Sequence, residues 1–249
     1  MHKLLLAGIA AATLIAGQAM AADMPVKAVY KAPPVYAYSW TGCFIGGNGG
    51  GLWARKEWTA RDATFGATGS SYGSHDLNSW AAGVQVGCDY QMGAVVIGIQ
   101  GDYDWTNAKG SNNNLVVPLT IGDRSQIRSV ASVTGRLGYA IDRAMLYVRG
   151  GVAWERDNYS FYTLVNGLDA FTASETRTGL ALGAGLEYAF INNLSGFVEY
   201  DYYDFGTRSN TFASVAGGAG ILTDIRERKS VVKVGLNFRF GGDAVVAKY

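Results

Sequence analysis

Few residues in this chain are equipped for chemistry, and their spacing offers little. Its 249 residues include two cysteines and two histidines. His75 is followed by Asp76, without a serine placed as a nucleophile. One histidine next to one acid then reads as a solvated loop rather than a hydrolytic site. The run Gly46-Gly47-Asn48-Gly49-Gly50-Gly51 lacks the Lys-Ser/Thr ending and the following helix of a phosphate loop. Close packing of strands is the better account of its glycines. No catalytic residue, metal site or cofactor is expected. Lys+Arg is 21 against Asp+Glu 20, which leaves no concentrated basic surface for nucleic acid. Charged residues make up 16% and hydrophobic ones 49%, too apolar a balance for a disordered chain.

The N-terminal segment reads as an address. His2 and Lys3 precede an apolar stretch from Leu4 to Ile15, and Ala19-Met20-Ala21 is a small-x-small cleavage site. That is the plan of a secretory signal peptide over residues 1–21. The stretch is too short for a spanning helix, which needs about 20 apolar residues. No later segment has 18 consecutive apolar residues, so a helical membrane protein is excluded. An exported chain that still enters a bilayer must do so as a closed β-barrel. Residues 22–39, with Pro25, Pro33 and Pro34, read as a periplasmic linker, and Pro118 falls in a polar loop. The absence of proline from every expected strand suits a sheet without a free edge.

From Trp40 onward the chain alternates with period two. Trp80, Ala82, Val84, Val86, Cys88 and Tyr90 oppose Ala81, Gly83, Gln85, Gly87, Asp89 and Gln91; Leu180, Leu182, Ala184, Leu186, Tyr188 and Phe190 oppose Gly179, Ala181, Gly183, Gly185 and Glu187. Strands are expected near 41–54, 79–91, 95–106, 124–140, 144–157, 176–190, 194–206 and 226–240. Tight turns near 92–94, 141–143 and 191–193 alternate with long loops at 55–78, 107–123, 158–175 and 207–225. This predicts an all-β fold, an eight-stranded antiparallel up-and-down transmembrane β-barrel over residues 40–240, with a short C-terminal tail at 241–249.

The apolar face is bulky and the polar face rich in glycine, so the bulky face is expected outside a narrow barrel. Its aromatics sort by strand parity into two girdles: Trp53, Trp80, Trp105, Trp154 and Tyr202 at one rim, and Tyr90, Tyr139, Tyr188, Phe190, Phe238 and Phe240 at the other. Trp40 sits off this face. The inner face collects Asp89, Asp102, Asp104, Glu155, Glu187, Glu199 and Asp201 against Arg128, Arg136, Arg149, Arg177, Lys233 and Arg239. Such a set forms either an ion path or a salt-bridged plug. Eight strands leave an interior only wide enough for side chains, which favours the plug. Cys43 and Cys88 fall on the lipid-facing side at similar depth. They read as a disulfide formed in an oxidising compartment, or as two small apolar residues. Arg55, Lys56, Arg156, Arg226, Arg228 and Lys229 gather near the outer rim, as lipopolysaccharide ligands or as ordinary solvated charge.

The opening Trp40-Thr41-Gly42-Cys43-Phe44-Ile45-Gly46-Gly47-Asn48 resembles that of the porin-like surface-antigen family of small outer-membrane barrels, related in fold to OmpA and OmpX. So do Gly135-Arg136-Leu137-Gly138-Tyr139-Ala140, Leu146-Tyr147-Val148-Arg149-Gly150-Gly151-Val152-Ala153, Glu199-Tyr200-Asp201-Tyr202-Tyr203-Asp204-Phe205-Gly206 and Val234-Gly235-Leu236-Asn237-Phe238-Arg239-Phe240. The likeness spans nearly the whole chain and is strongest to the rhizobial and brucella-type outer-membrane immunogenic proteins. It implies a non-enzymatic surface protein of the Gram-negative outer membrane, among outer-membrane lipid and lipopolysaccharide. Family roles include envelope stability and, in some members, haem binding or permeability. A narrow passive channel and a receptor for haem or a host ligand are therefore the alternative functions. The resemblance also implies that the barrel assembly machinery reads a closing aromatic, for which Phe240 would serve although residues 241–249 follow it. Some related barrels are tethered to peptidoglycan through a mature terminus beginning Ala-Asp, a pattern that Ala22-Asp23 matches.

Overall fold

A computed structural model describes residues 36–63, 67–116, 120–218, 220–241 and 245–246. The expected signal peptide, most of the linker with Ala22, and Pro118 lie outside the described residues. Eight antiparallel strands close into a barrel: β2 (Gly42–Ala60), β3 (Ser71–Met92), β4 (Val95–Asn113), β5 (Ile121–Ile141), β6 (Ala144–Thr163), β7 (Asp169–Ile191), β8 (Leu194–Ser214) and β9 (Ile221–Phe240). Each pairs with its sequence neighbour, and β9 returns to β2. At the short-turn end, β1 (Tyr36–Ala37) pairs with β10 (Val245–Val246) as a separate two-stranded ribbon.

Through the lower half the side chains alternate as expected. Val84, Val86, Leu182, Leu186, Val234 and Leu236 are exposed, while Gln85, Gln100, Glu187 and Lys233 are buried. Trp80 and Tyr90 lie ten residues apart on β3. A strand tilted by about 40° gives them a separation of about 25 Å along the axis, the height of a membrane-facing band. Several interior glycines lie beneath a large side chain. A Cβ on Gly185 would strike the Tyr147 ring, and one on Gly235 the Phe197 ring. The interior of eight strands is so narrow that a wide residue on one strand requires an empty position on its neighbour.

The upper half departs from the expected long loops. Most of residues 55–78, 107–123, 158–175 and 207–225 belong to strands that run well past the tryptophan girdle. The β3–β4 ladder stops above Ala81↔Thr106, and the β7–β8 ladder is interrupted between Leu180↔Asp204 and Thr172↔Ala213. The ring thus divides into two four-stranded sheets, β8-β9-β2-β3 and β4-β5-β6-β7, packed face to face as a sandwich. Trp58 fills its centre, with ring centroids 5.7 Å from Tyr159 and 5.4 Å from Phe161 on the opposite sheet. Tyr72, Phe212, Ile221 and Ile225 complete this apolar core.

Truncating a buried tryptophan costs about 3–5 kcal/mol, and here the loss falls on the head alone. On proteoliposomes, protease should clip the native protein only at its hairpin tips. Trp58→Ala should open cuts within 55–60 and 207–214 while the membrane half stays intact. Identical digestion patterns would contradict a packed head.

Candidate functional site

The site with the most chemistry is the axis of the barrel, where ion pairs form three layers. In the lowest layer Arg136 donates to Glu187 at 2.8 Å and Arg239 to Asp89 at 3.0 Å. Ser195 and Asn237 also donate to Glu187, at 2.5 and 3.0 Å. Both guanidiniums lie against the Phe44 ring, 5.2 and 5.1 Å from its centroid. The middle layer holds Arg149 and Lys233 among four acids. Arg149 bonds Asp102 at 2.7 Å and Asp201 at 2.8 Å; Lys233 lies 2.9 Å from Asp201, 3.3 Å from Glu199, 3.6 Å from Asp102 and 3.5 Å from Asp104. In the upper layer Lys56 bridges Asp157 and Glu227, each at 2.9 Å, Lys229 contacts Glu155, and Arg177 lies 3.9 Å from Asp157. All of these groups are buried. Charges taken out of water this far persist only when paired.

The interior set expected from sequence is thus brought together, with one exception and several additions. Arg128 faces outward, because a bulge between Ile127 and Ser129 inserts an extra residue and shifts the alternation of β5. Among the described residues no carboxylate pairs with it, nor with the outward Arg156 above Trp154. Lys56 and Lys229, expected on the outer rim, are interior residues, and Asp157 and Glu227 join them. Glu155, Asp157 and Glu227 lie close enough to hold a metal ion, but Lys56, Lys229 and Arg177 already occupy that space.

The other expected residues are placed as follows. Trp53, Trp80, Trp105 and Trp154 are exposed at one rim, with Tyr202 half-buried beside them. Tyr90, Tyr139, Tyr188, Phe190, Phe238 and Phe240 are exposed at the other. Cys43 and Cys88 are ladder partners on β2 and β3, joined as a disulfide. Trp40, which sat off the lipid face, is fully buried in the short-turn mouth. Its indole donates to the Asp142 carbonyl at 3.1 Å, and Arg239 donates to its own carbonyl at 2.6 Å. Trp40, the residue that follows the linker, therefore closes that end of the barrel.

His75 is not in a solvated loop. It is buried on β3, with Nε2 2.7 Å from the Ser125 hydroxyl of the opposite sheet. Among the described residues its Nδ1 has no hydrogen-bond partner, so the third group that would orient a catalytic base is missing there. Its five-residue offset above Trp80 puts it about 12 Å beyond the girdle, outside the membrane band. Burial, with help from the Lys56 charge, lowers its pKa from the usual 6.5 to about 4.

The comparisons with known proteins follow the same architecture. Residues 7–240 match the family model for the outer membrane protein beta-barrel domain. The chain belongs to that family. As an outer-membrane β-barrel protein it is 32% identical over 249 residues to the 31 kDa outer-membrane immunogenic protein of Brucella melitensis biotype 1, covering 96% of this chain and all of the relative. The 22 kDa outer membrane protein of Rhizobium leguminosarum bv. viciae is 27% identical, over 84% of this chain and 82% of that one. Among solved structures, OprG from Pseudomonas aeruginosa superposes with a TM-score of 0.49 at 13% identity, covering 83% of this chain and 99% of that chain. The outer-membrane barrel described here is accordingly a surface protein of the Gram-negative outer membrane.

Two outcomes test the interior. Lys233→Met leaves Asp102, Glu199 and Asp201 to Arg149 alone and strips Asp104 of its ion pair, and should lower unfolding free energy in detergent micelles by about 3–5 kcal/mol; an unchanged denaturant midpoint would contradict the pairing. The His75 ring proton should titrate near pH 4 by NMR. Stability from keeping the ring neutral is full above pH 6.5 and is lost as pH falls through that lower midpoint. Titration near 6.5 would place the ring in water.

Proposed function

We propose that this outer-membrane barrel is a non-conducting, non-enzymatic envelope protein that anchors a rigid β-sandwich at the cell surface for structural and surface interactions. The observation that carries this reading is the filled axis. Trp40 and Tyr147 occupy the short-turn end, three ion-paired layers and an apolar layer around Leu52, Leu77 and Phe205 fill the middle, and Trp58 with its aromatic neighbours fills the head. A passive channel needs a continuous wet path, and the burial of these side chains among the described residues supports a closed axis instead.

A haem receptor is less well supported. His75, the one histidine among the described residues, points between the sheets rather than into a surface cleft. Hydrolytic activity is disfavoured because the Ser125–His75 pair is buried and lacks a third residue on Nδ1. The immunogenic character in the names of the Brucella relatives supports surface display as the outcome of this design.

The refolded protein in planar bilayers should show no discrete conductance steps under applied voltage. A gel mobility shift between unboiled and boiled samples should certify that the same preparation is a closed barrel. Reproducible single-channel steps from barrels certified in this way would overturn the reading.

A further inference from the structure

The two sheets of the head differ in the charge they turn outward. Beside β8-β9-β2-β3, Arg55, Arg61 and Arg228 each have an acid nearby: Glu57 at 3.6 Å, Asp224 at 3.2 Å and Asp204 at 3.8 Å. On β4-β5-β6-β7 the outward bases above the girdle are Lys109, Arg124, Arg128 and Arg156, and Asp169 is the one outward acid among the described residues. Glu175 turns inward onto Arg177 at 3.4 Å. Asp169 is taken by Arg124 at 3.8 Å. Arg128 meets an amide, since the Asn158 oxygen accepts from its Nε at 2.9 Å and from its Nη2 at 3.1 Å. Lys109 and Arg156 make no ion pair among the described residues. Four bases less one acid leave this face a net charge of +3.

The ladder registers arrange the same face into two polar rows that cross all four strands. One runs Lys109, Gln126, Asn158, Ser174, and the next runs Ser111, Arg124, Ser160, Thr172. Neither row contains an apolar residue. Short side chains at Ser160, Thr172 and Ser174 leave the sheet low here, and a groove of about 520 Å³ follows the rows across β5, β6 and β7. Tyr162 bounds its upper end. That ring lies across Gly122, where a Cβ would strike it, and holds the Arg124 guanidinium 4.4 Å from its centroid. The groove is thus floored by hydroxyls and amides, and has unpaired positive charge along its lower edge.

We propose that this face binds an external polysaccharide carrying uronate carboxylates, with the sugar chain in the groove and its acid groups on Lys109 and Arg128. Hydroxyl and amide side chains offer both donors and acceptors, as the hydroxyls of a sugar require. The planar guanidinium fork matches a carboxylate in a bidentate contact. The rows through Asn158 and Ser160 stand four and six residues beyond Trp154, about 10 and 15 Å above the girdle on a tilted strand. A lipid phosphate at headgroup level falls short of them. Four strands at about 4.8 Å spacing also span more than an inorganic anion can fill. The inference rests on the reading of the head as a displayed interaction surface, and names the partner of that surface.

The test is binding of a fluorescein-labelled oligogalacturonate to the refolded full chain in nanodiscs of zwitterionic lipid, at physiological salt. Binding should saturate. The methyl ester of the same oligomer keeps the hydroxyls without the charges and should bind about tenfold more weakly. Polyglutamate of equal charge lacks the hydroxyls and should be at least about tenfold weaker, since bare charge is screened in salt. Lys109→Gln/Arg128→Gln should cost about tenfold. Ser174→Trp should cost as much by filling the groove, and Thr172→Trp does the same should the first variant fail to fold. Arg55→Gln/Arg228→Gln removes equal charge from the other sheet and should change nothing. Excess lipid A should not compete. Each variant is first shown to be folded by its gel shift on heating. Absence of saturable binding, equal binding of polyglutamate, unchanged affinity in the Lys109 and Arg128 variant or with the groove filled, equal loss at Arg55 and Arg228, or displacement by lipid A would each overturn the proposal. A barrel that conducts yet binds the oligomer overturns the non-conducting reading alone; a silent barrel without binding overturns this inference alone.

Discussion

The structure depends on pairing charge inside a space that side chains alone nearly fill. Arg149 and Lys233 sit among Asp102, Asp104, Glu199 and Asp201 at the waist of the barrel, and each layer above and below repeats the arrangement with different partners. Once the polar groups satisfy one another along the axis, the opposite face of every strand is free to be apolar. The glycine floors under Tyr147 and Phe197 follow from the same narrowness, since eight strands cannot hold large residues on adjacent strands at one level. The pairing therefore accounts for the closed interior, the greasy exterior and the composition of the strands.

Above the tryptophan girdle the same strands serve the opposite arrangement. On β2 the inward series runs through Leu52, Ala54 and Lys56 to Trp58, while the outward series changes from Ile45 and Trp53 to Arg55 and Glu57. Polar-in and apolar-out becomes apolar-in and polar-out without a break in the strand. The solvent explains the change: below, the outside is hydrocarbon; above, it is water and headgroups. A barrel freed from the bilayer can flatten into two sheets and bury an aromatic core between them, and the stopped β3–β4 and β7–β8 ladders show where that happens.

That inversion also sets what could be read from the residues alone. The membrane half was legible, since Leu180, Leu182, Leu186 and Tyr188 alternate with Ala181, Gly183 and Glu187 against a uniform apolar solvent. The head reads as loops, because the hydropathy pattern reverses phase near residue 55 and cancels across any window spanning the reversal. The same reversal puts Lys56 and Lys229 on the outer rim in the sequence, while the structure buries them. Arg128 reads as interior for a different reason, a single bulged residue that no composition rule announces. The His75–Ser125 contact joins two sheets that neither local sequence specifies.

Sidedness is the claim on which all of this stands, and spin labels along β7 test it directly. Labels placed singly at the outward positions Leu180, Leu182, Ala184 and Leu186 in a bilayer should all collide often with dissolved oxygen and rarely with a water-soluble nickel chelate, as side chains in hydrocarbon do. Frequent collision with the chelate and little with oxygen at these positions would contradict the account.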